Sequence, residues 1–506
     1  VVTWSDGTQE DVTPLCRFQS NNEQIAMIDG NGLVTSNEPG DSHVVIFYDN
    51  GVVPIPVLRP VTDQIGPKYP ETSTPTKIDE LVVSKLSKLG VVPSDLCTDE
   101  EFLRRVTIDI TGTLPTPSEV KQFLADSSFD KRTKKIDELL ERPAYAAWWA
   151  TRLSDYTGNN AYELRNIIPD QSAPSQQWYE WLYSRVDNNT PYDEIVAGIV
   201  TANSREEGES YREFFENVTQ ATFDKNHSFA ERSSMPYYWA RRNLRQPEEK
   251  ALAFAYSFMG IRIQCAQCHK HPFDHWTQDD FNQFTNFFSR IQFGRNPETA
   301  NEYRDMMKEL GVDKLRGGDQ RRELAKLAKK GEIVPIQETW VREPPQNVSK
   351  KAKSKNRNLA RLYPSTAKLL GDEEVNLEDA PDPRVELMGW LRAKGNPYFA
   401  KAFVNRVWAS YFNVGIVEPP DDLNLANPPS NAQLLDWLAD GFTESGYDMK
   451  WLHRTIANSA TYQRSWVPNQ TNKLDERNFS RAVPRRLPAE VTIDALQMAT
   501  ACLLYT

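Results

Sequence analysis

The chain has no apolar run approaching the roughly 20 residues a helix needs to cross a bilayer, so a helical membrane span is not expected. It is also short of positive charge: 59 Lys and Arg stand against 70 Asp and Glu, a net charge of −11. A nucleic-acid binder needs a basic face to neutralise phosphates, and this balance argues against one. A basic or neutral partner protein is easier to accommodate. Cysteine is scarce as well: of five residues, Cys16, Cys97 and Cys502 are too widely spaced to make a disulfide framework. The opening Val1-Val2-Thr3-Trp4 has neither the basic start nor the apolar core of a secretory signal. It reads as though already inside a strand, so a processed or partial chain is expected.

What is present is the composition of an ordinary globular protein, 39% apolar and 25% charged. A chain of 506 residues exceeds what one hydrophobic core supports, and two to four domains are expected. Residues 1–60 alternate short apolar runs with Asp6-Gly7 and Asp29-Gly30-Asn31-Gly32, which are hairpin signals, and predict a small β-sandwich. Residues 61–76, rich in Pro, Thr and Ser, read as a linker. From Lys77 the period becomes helical: Ile78, Leu81, Val82, Leu86 and Leu89 share a face that Gly90 ends. Thr116-Pro117-Ser118-Glu119 reads as a helix cap. Trp148, Trp149, Trp178 and Trp181 read as core, and Arg104, Arg105 and Asp109 as ion-pair material.

The expected fold class is therefore mainly α and multidomain, a small sandwich followed by a large helical region with a few β-hairpins. An α-helical domain is read over 77–300, a charged insertion or hairpin segment over 301–375, and a second helical domain over 376–506. Within the insertion, 333–341 reads as a hairpin arm and 349–358 as a mobile loop. In the last domain Phe403, Val404, Val407, Trp408 and Tyr411 form a core stripe, further helices run over 434–442 and 451–462, and the end at 503–506 reads as cut within a helix.

One stretch carries explicit chemistry. Cys265-Ala266-Gln267-Cys268-His269 has the C-x-x-C-H spacing of c-type haem attachment, two thiols to add across the vinyl groups and an imidazole for the iron. A helix opened by Pro247 and closed by Gly260, with Leu252, Ala255, Tyr256 and Met259 on one face, leads into it; Phe281, Phe284, Phe287 and Phe288 face the next. Two other readings compete with haem: a thioredoxin-like dithiol, which would need β-α-β flanks, and a zinc site, which would crowd Cys265, Cys268, His269 and His271 into seven residues.

On the haem reading Cys265 and Cys268 form the thioethers and His269 is the proximal ligand. His271 is too near His269 for the chain, at about 3.4 Å per residue, to carry it round the porphyrin edge. The distal candidates are His227 and Met235, with Met259 and His453 behind them, and an open sixth position is the alternative. Asp274, Asp279 and Asp280 have three roles open to them: holding His271, holding a calcium ion beside a propionate, or capping the next helix.

Trp4-Ser5-Asp6-Gly7-Thr8 with Ile28-Asp29-Gly30-Asn31-Gly32-Leu33-Val34-Thr35 resembles part of a bacterial Ig-like (Big_2-type) module. The string from Ile263 through Cys265, Cys268, His269, His271, Pro272, Phe273 and Asp274 to Phe281 resembles the planctomycete cytochrome-like domain family, domain of unknown function 1549, as do Phe102-Leu103-Arg104-Arg105 and Leu114-Pro115-Thr116-Pro117. Phe403-Val404-Asn405-Arg406-Val407-Trp408, Gly415-Ile416-Val417-Glu418-Pro419 and Arg485-Arg486-Leu487-Pro488-Ala489-Glu490 are similar to its companion, domain 1553. The expectation is an exported, periplasmic monohaem c-type cytochrome passing single electrons to a redox partner protein. A haem enzyme of peroxidase type, with an open distal site, is the first alternative. A structural or carbohydrate-associated binding protein is the second.

Overall fold

The computed structural model describes residues 1–165, 167–168, 173–224, 226–344, 357–371, 373–378 and 380–500. The chain forms two compact units and passes between them four times. Unit 1 is Val1–Tyr145, Met259–Thr277 and Pro397–Thr506; unit 2 is Ala146–Phe258 and Gln278–Asn396. The protein is mainly helical, with small sheets and a strand-rich N-terminal region. No helix among the described residues is long and apolar enough to cross a membrane.

Unit 1 opens with the strands that the turn residues foretell. Val2–Thr3 pairs with Gln9–Glu10 around Asp6-Gly7, and Ala26–Ile28 pairs with Val34–Ser36 around the Asp29 to Gly32 turn. The main sheet holds β1 (Arg17–Ser20), β2 (Gly40–Tyr48) and β3 (Gly51–Arg59), all antiparallel in the order β1-β2-β3. Asp49 and Asn50 make the two-residue turn from β2 to β3, with Asp49 at φ 47°, a conformation Asp adopts more readily than most residues. Val44, Val45, Phe47 and Val52 are buried apolar side chains of this sheet, and Asp41, Ser42 and His43 are buried polar ones.

The helical part of unit 1 begins with α1 (Lys77–Leu89) and α2 (Asp99–Thr111). Helix α1 has a capping box between Thr76 and Asp79 and ends on left-handed Gly90 at φ 64°. Three acidic residues occupy the first turn of α2, where they oppose the helix dipole, and Thr98 accepts from the Glu101 amide. A second capping box, Thr116 with Glu119, opens Pro117–Ala125. Later in the chain come α3 (Phe399–Phe412), α4 (Ala432–Glu444) and α5 (Met449–Ala457). The stripe Phe403, Val404, Val407, Trp408 and Tyr411 is buried as its spacing requires.

Helix α5 stops at Ala457, five residues short of the apolar period, because the following turn is claimed by a buried carboxylate. Asp79 Oδ1 accepts from the Thr461 amide and hydroxyl, both at 2.7 Å. Its Oδ2 accepts from the Ala460 amide at 3.1 Å, the Thr76 amide at 3.1 Å and the Thr76 hydroxyl at 2.7 Å. One side chain with no exposed surface thus caps α1 and fixes the chain after α5.

Unit 2 is built on helices Ala173–Asp187, Tyr192–Val200, Tyr211–Phe223 and Pro383–Arg392, with Trp149, Trp178, Trp181 and Trp239 buried as core. Phe281, Phe284, Phe287 and Phe288 are all buried, with Phe284 and Phe288 against Phe254 and Phe287 against Phe284. The segment read as a hairpin arm does not fold on itself: Glu338–Val341 pairs antiparallel with Ile291–Gly294. The helix from Pro247 changes to a wider π turn over Ala255–Met259, which rotates its face so that Phe258 and Met259 are buried and Tyr256 is 41% exposed. The expected loop over 349–358, except its last two residues, and the chain end at 503–506 lie outside the described residues.

Candidate functional site

The C-x-x-C-H stretch lies in unit 1 on a short 3-10 turn, Gln264–Gln267. Cys265 and Cys268 are both exposed and free, and only Ala266 of this turn is buried. His269 is exposed too, its Nδ1 2.6 Å from the Lys270 carbonyl; an oxygen acceptor makes Nδ1 the protonated nitrogen.

Order of another kind starts two residues later. His271 is buried, donates from Nε2 to the Arg262 carbonyl at 2.9 Å and accepts at Nδ1 from the Phe273 amide at 3.3 Å. Burial depresses its pKa, and the Arg262 carbonyl pulls the other way. Asp274, also buried, holds His275 Nδ1 at 2.7 Å and accepts from the Leu425 amide at 3.2 Å. Arg17 donates to the Pro272 carbonyl at 2.8 Å, and the Ala426 amide to that of Phe273 at 3.2 Å. His271 and Asp274 are therefore the pins of a docked loop.

The two distal candidates belong to unit 2 and are each accounted for there. Met235 is wholly buried, and half-exposed His227 holds Asp224 at 3.0 Å. Among the described residues no three His, Cys, Asp or Glu side chains converge where a metal ion could be held.

The expected function is thereby corrected. A covalent haem requires its two thioethers and proximal imidazole to face into an apolar enclosure that buries the porphyrin and presents a second axial group. Here all three attachment residues are exposed, and among the described residues no cluster of ligating side chains stands with them. The monohaem electron carrier and the peroxidase-type enzyme both fail on this geometry.

What unit 1 does assemble is a cleft of ≈ 260 Å³ between α2, α3 and the segment around Arg485. Asp109 is its buried pole. The Tyr462 hydroxyl donates to Asp109 Oδ2 at 2.8 Å, and the Arg485 guanidinium donates to Oδ1 and to the Ser410 carbonyl. Burial pushes the Asp109 carboxyl above the usual range, against the opposing pull of Arg485, Tyr462 and Arg105. Arg105 lies over the Tyr462 ring at 4.9 Å, donating to the carbonyls of Tyr462 at 2.7 Å and Arg464 at 3.0 Å. Beside it the Tyr411 hydroxyl pairs with His453 Nδ1 at 2.9 Å, and burial drops that imidazole to a pKa of about 3.

The rim carries Arg104, which is exposed, and the indole of Trp466, 53% exposed. Its walls include no Ser, Thr, Cys or Lys, and the hydroxyls among its lining residues are the phenols of Tyr411 and Tyr462. Tyrosines and guanidinium groups are what a bound molecule would meet.

This cleft is the site that reading the sequence missed. Arg104, Arg105 and Asp109 were legible only as ion-pair material, because the partner Arg485 is 376 residues away. The available signal was Asp109 inside Val106-Thr107-Ile108-Asp109-Ile110, a charged residue in an apolar run, which demands a buried partner.

Two family models match the chain. Residues 77–293 match PSCyt2, described as a protein of unknown function (DUF1549), and residues 383–504 match PSD1, described as a protein of unknown function (DUF1553). The motif-based resemblance is carried by both, and neither description supplies a haem, an electron-transfer role or a carbohydrate role. No curated protein and no solved structure matches the chain.

Proposed function

We propose that unit 1 of this chain, much of which lies within the residues the two family models match, is a receptor for a small organic anion with a flat apolar body, bound in the Asp109 cleft. The observation that carries the reading is a local reversal of charge. In a chain of net charge −11, the cleft brings Arg104, Arg105 and Arg485 against only Glu101 and Asp109. The desolvation that raises the Asp109 pKa acts in the same direction, since each step toward protonation leaves the cleft more cationic.

Arg104 presents a planar fork suited to a carboxylate, and charge-assisted pairs of this type are about twice as strong as neutral hydrogen bonds. Trp466, Phe412 and Leu487 give the apolar body its surface.

The test is a calorimetric titration of the whole chain with 1-naphthoate and with its neutral isostere 1-naphthamide. Naphthoate is expected to bind at least tenfold more tightly, and Arg104→Ala to remove about tenfold of that affinity without changing the melting curve, since Arg104 is exposed. Equal affinity for acid and amide, or an Arg104→Ala protein that binds naphthoate as the parent does, would refute the reading.

A further inference from the structure

Unit 1 holds a second, larger cavity of ≈ 550 Å³, which meets one of ≈ 340 Å³ at Asp41 and Ser430, residues that wall both. These are the dimensions of small-molecule sites. Asp41, on β2, is held by Lys85 of α1 at 2.7 Å and by the Asn478 amide at 2.8 Å.

Five polar atoms on these walls have no hydrogen-bond partner in the protein: Ser42 Oγ, His43 Nδ1, Ser430 Oγ, Arg477 Nε, which is 3.6 Å from Asp41, and Asn478 Oδ1. They are not surface atoms: Ser42, His43, Ser430 and Asn478 are 1%, 9%, 9% and 8% exposed, and the Arg477 Nε is buried although its side chain is not. Buried polar groups are almost always paired, so such a concentration marks a place that something else completes.

Asn478 says what that is. Its Nδ2 donates to Asp41 Oδ1 at 2.8 Å and to Asp475 Oδ1 at 3.0 Å. Both partners accept only, so the amide cannot turn over, and Oδ1 is left as an unpaired, buried acceptor on a residue that walls the larger cavity. Only a donor satisfies it.

Charge leads to the same ligand. Lys85 neutralises Asp41, and Arg477, 3.6 Å from the same carboxylate, is the cation on the wall of the larger cavity. Asp475, Glu38, Glu418 and Glu476 remain as carboxylates around it. Between the acidic groups the wall is aliphatic, with Ile25, Leu89, Val91 and Ile416.

We propose that this cavity binds a linear aliphatic diamine, one ammonium meeting Asn478 Oδ1, the other the rim carboxylates Glu38 and Glu476, and the methylene chain lying on Ile25, Leu89 and Ile416. An ammonium group offers three donors and no acceptor, which matches an unpaired amide oxygen among carboxylates. A neutral polyol would leave the acidic rim without counter-charge. A dicarboxylate would be repelled by it.

The test is calorimetry on the whole chain with 1,5-diaminopentane and with 1,5-pentanediol, the isosteric diol, at about pH 7.5, where both amines are charged. The diamine is expected to bind at least tenfold more tightly than the diol. The double variant Glu38→Gln, Glu476→Gln is expected to lose about tenfold in diamine affinity with an unchanged melting curve, both side chains being exposed. Diol binding as tight as the diamine, a double variant with undiminished affinity, or no diamine binding up to about 10 mM overturns the proposal.

Discussion

Replacing Asp79 by Asn tests whether one carboxylate joins the start of α1 to the turn after α5. The change is nearly isosteric, so no cavity is made, and its cost comes from hydrogen bonding alone. Asp79 accepts five hydrogen bonds, two at Oδ1 and three at Oδ2. Asn keeps one acceptor oxygen and puts an NH2 group in place of the other. The less costly orientation sets the nitrogen toward Thr461, whose hydroxyl can turn to accept while its backbone amide, 2.7 Å from Oδ1 in the parent, cannot. One orphaned buried amide costs about 1–3 kcal/mol, and the donors left at the other oxygen lose their charge assistance, about 0.5 kcal/mol each. Relief of the buried charge offsets part of this. The expected loss is about 3 kcal/mol, read as a shifted urea midpoint, and only the transition belonging to unit 1 should move. Glu80→Gln on the same turn is the control: its pair with Lys77 is half exposed, so a change below about 0.5 kcal/mol is expected. An Asp79→Asn protein within about 1 kcal/mol of the parent would show that the carboxylate does not hold these two segments together.

Two buried histidines give unit 1 a stability loss on mild acidification. His43 is held to a pKa of about 4 by burial, with Arg477 and Lys85 adding to the effect and Asp41 opposing it, and His453 to about 3 by burial alone. Each binds fewer protons folded than unfolded, so stability falls as pH drops below the unfolded value near 6.5 and levels only below the folded values. By pH 4.5 the loss is roughly 2–3 kcal/mol per residue, and His453→Gln should flatten the pH profile of urea midpoints between 6.5 and 4.5. An unaltered slope would contradict a neutral His453. Thiol accessibility checks the corrected motif: iodoacetamide followed by peptide mapping should label exposed Cys265 and Cys268 in the native chain, and buried Cys97 only after unfolding. Protection of the first two would place them in an enclosure the fold does not provide.

Local structure was largely legible because its causes are local. Asp6-Gly7 and Asp29-Gly30 mark real ribbons, Thr116 to Glu119 is a real capping box, and the Phe403 to Tyr411 stripe is core. Legibility ended where a residue answers to a distant partner. Nothing near Tyr462 in sequence reveals that Asp79 will end the helical period before it, and nothing near Asp109 announces Arg485. The C-x-x-C-H string misled for a related reason. Spacing defines which atoms a haem would use, whereas the enclosure it needs is a tertiary property, and Cys265, Cys268 and His269 are exposed. Two histidines in the same stretch look alike on paper and differ in the fold, His269 being exposed and His271 buried with both ring nitrogens bonded.

The division of unit 1 into three separated segments has a consequence during synthesis. Its first segment ends at Tyr145, but the helices that complete its core, α3, α4 and α5, lie beyond Pro397. At about 5–20 residues per second a ribosome needs roughly 10–50 s to cover that interval. Throughout it Ile78, Leu86, Phe102 and Val106 lack the C-terminal helices of their unit, while every residue of unit 2 is made before Pro397 emerges. Unit 2 can therefore finish first, and the nascent chain carries the unfinished apolar faces of α1 and α2 for that time. A holding chaperone would find its binding sites there, and a message truncated shortly before the codon for Pro397 would release a chain with one finished unit and one that cannot close.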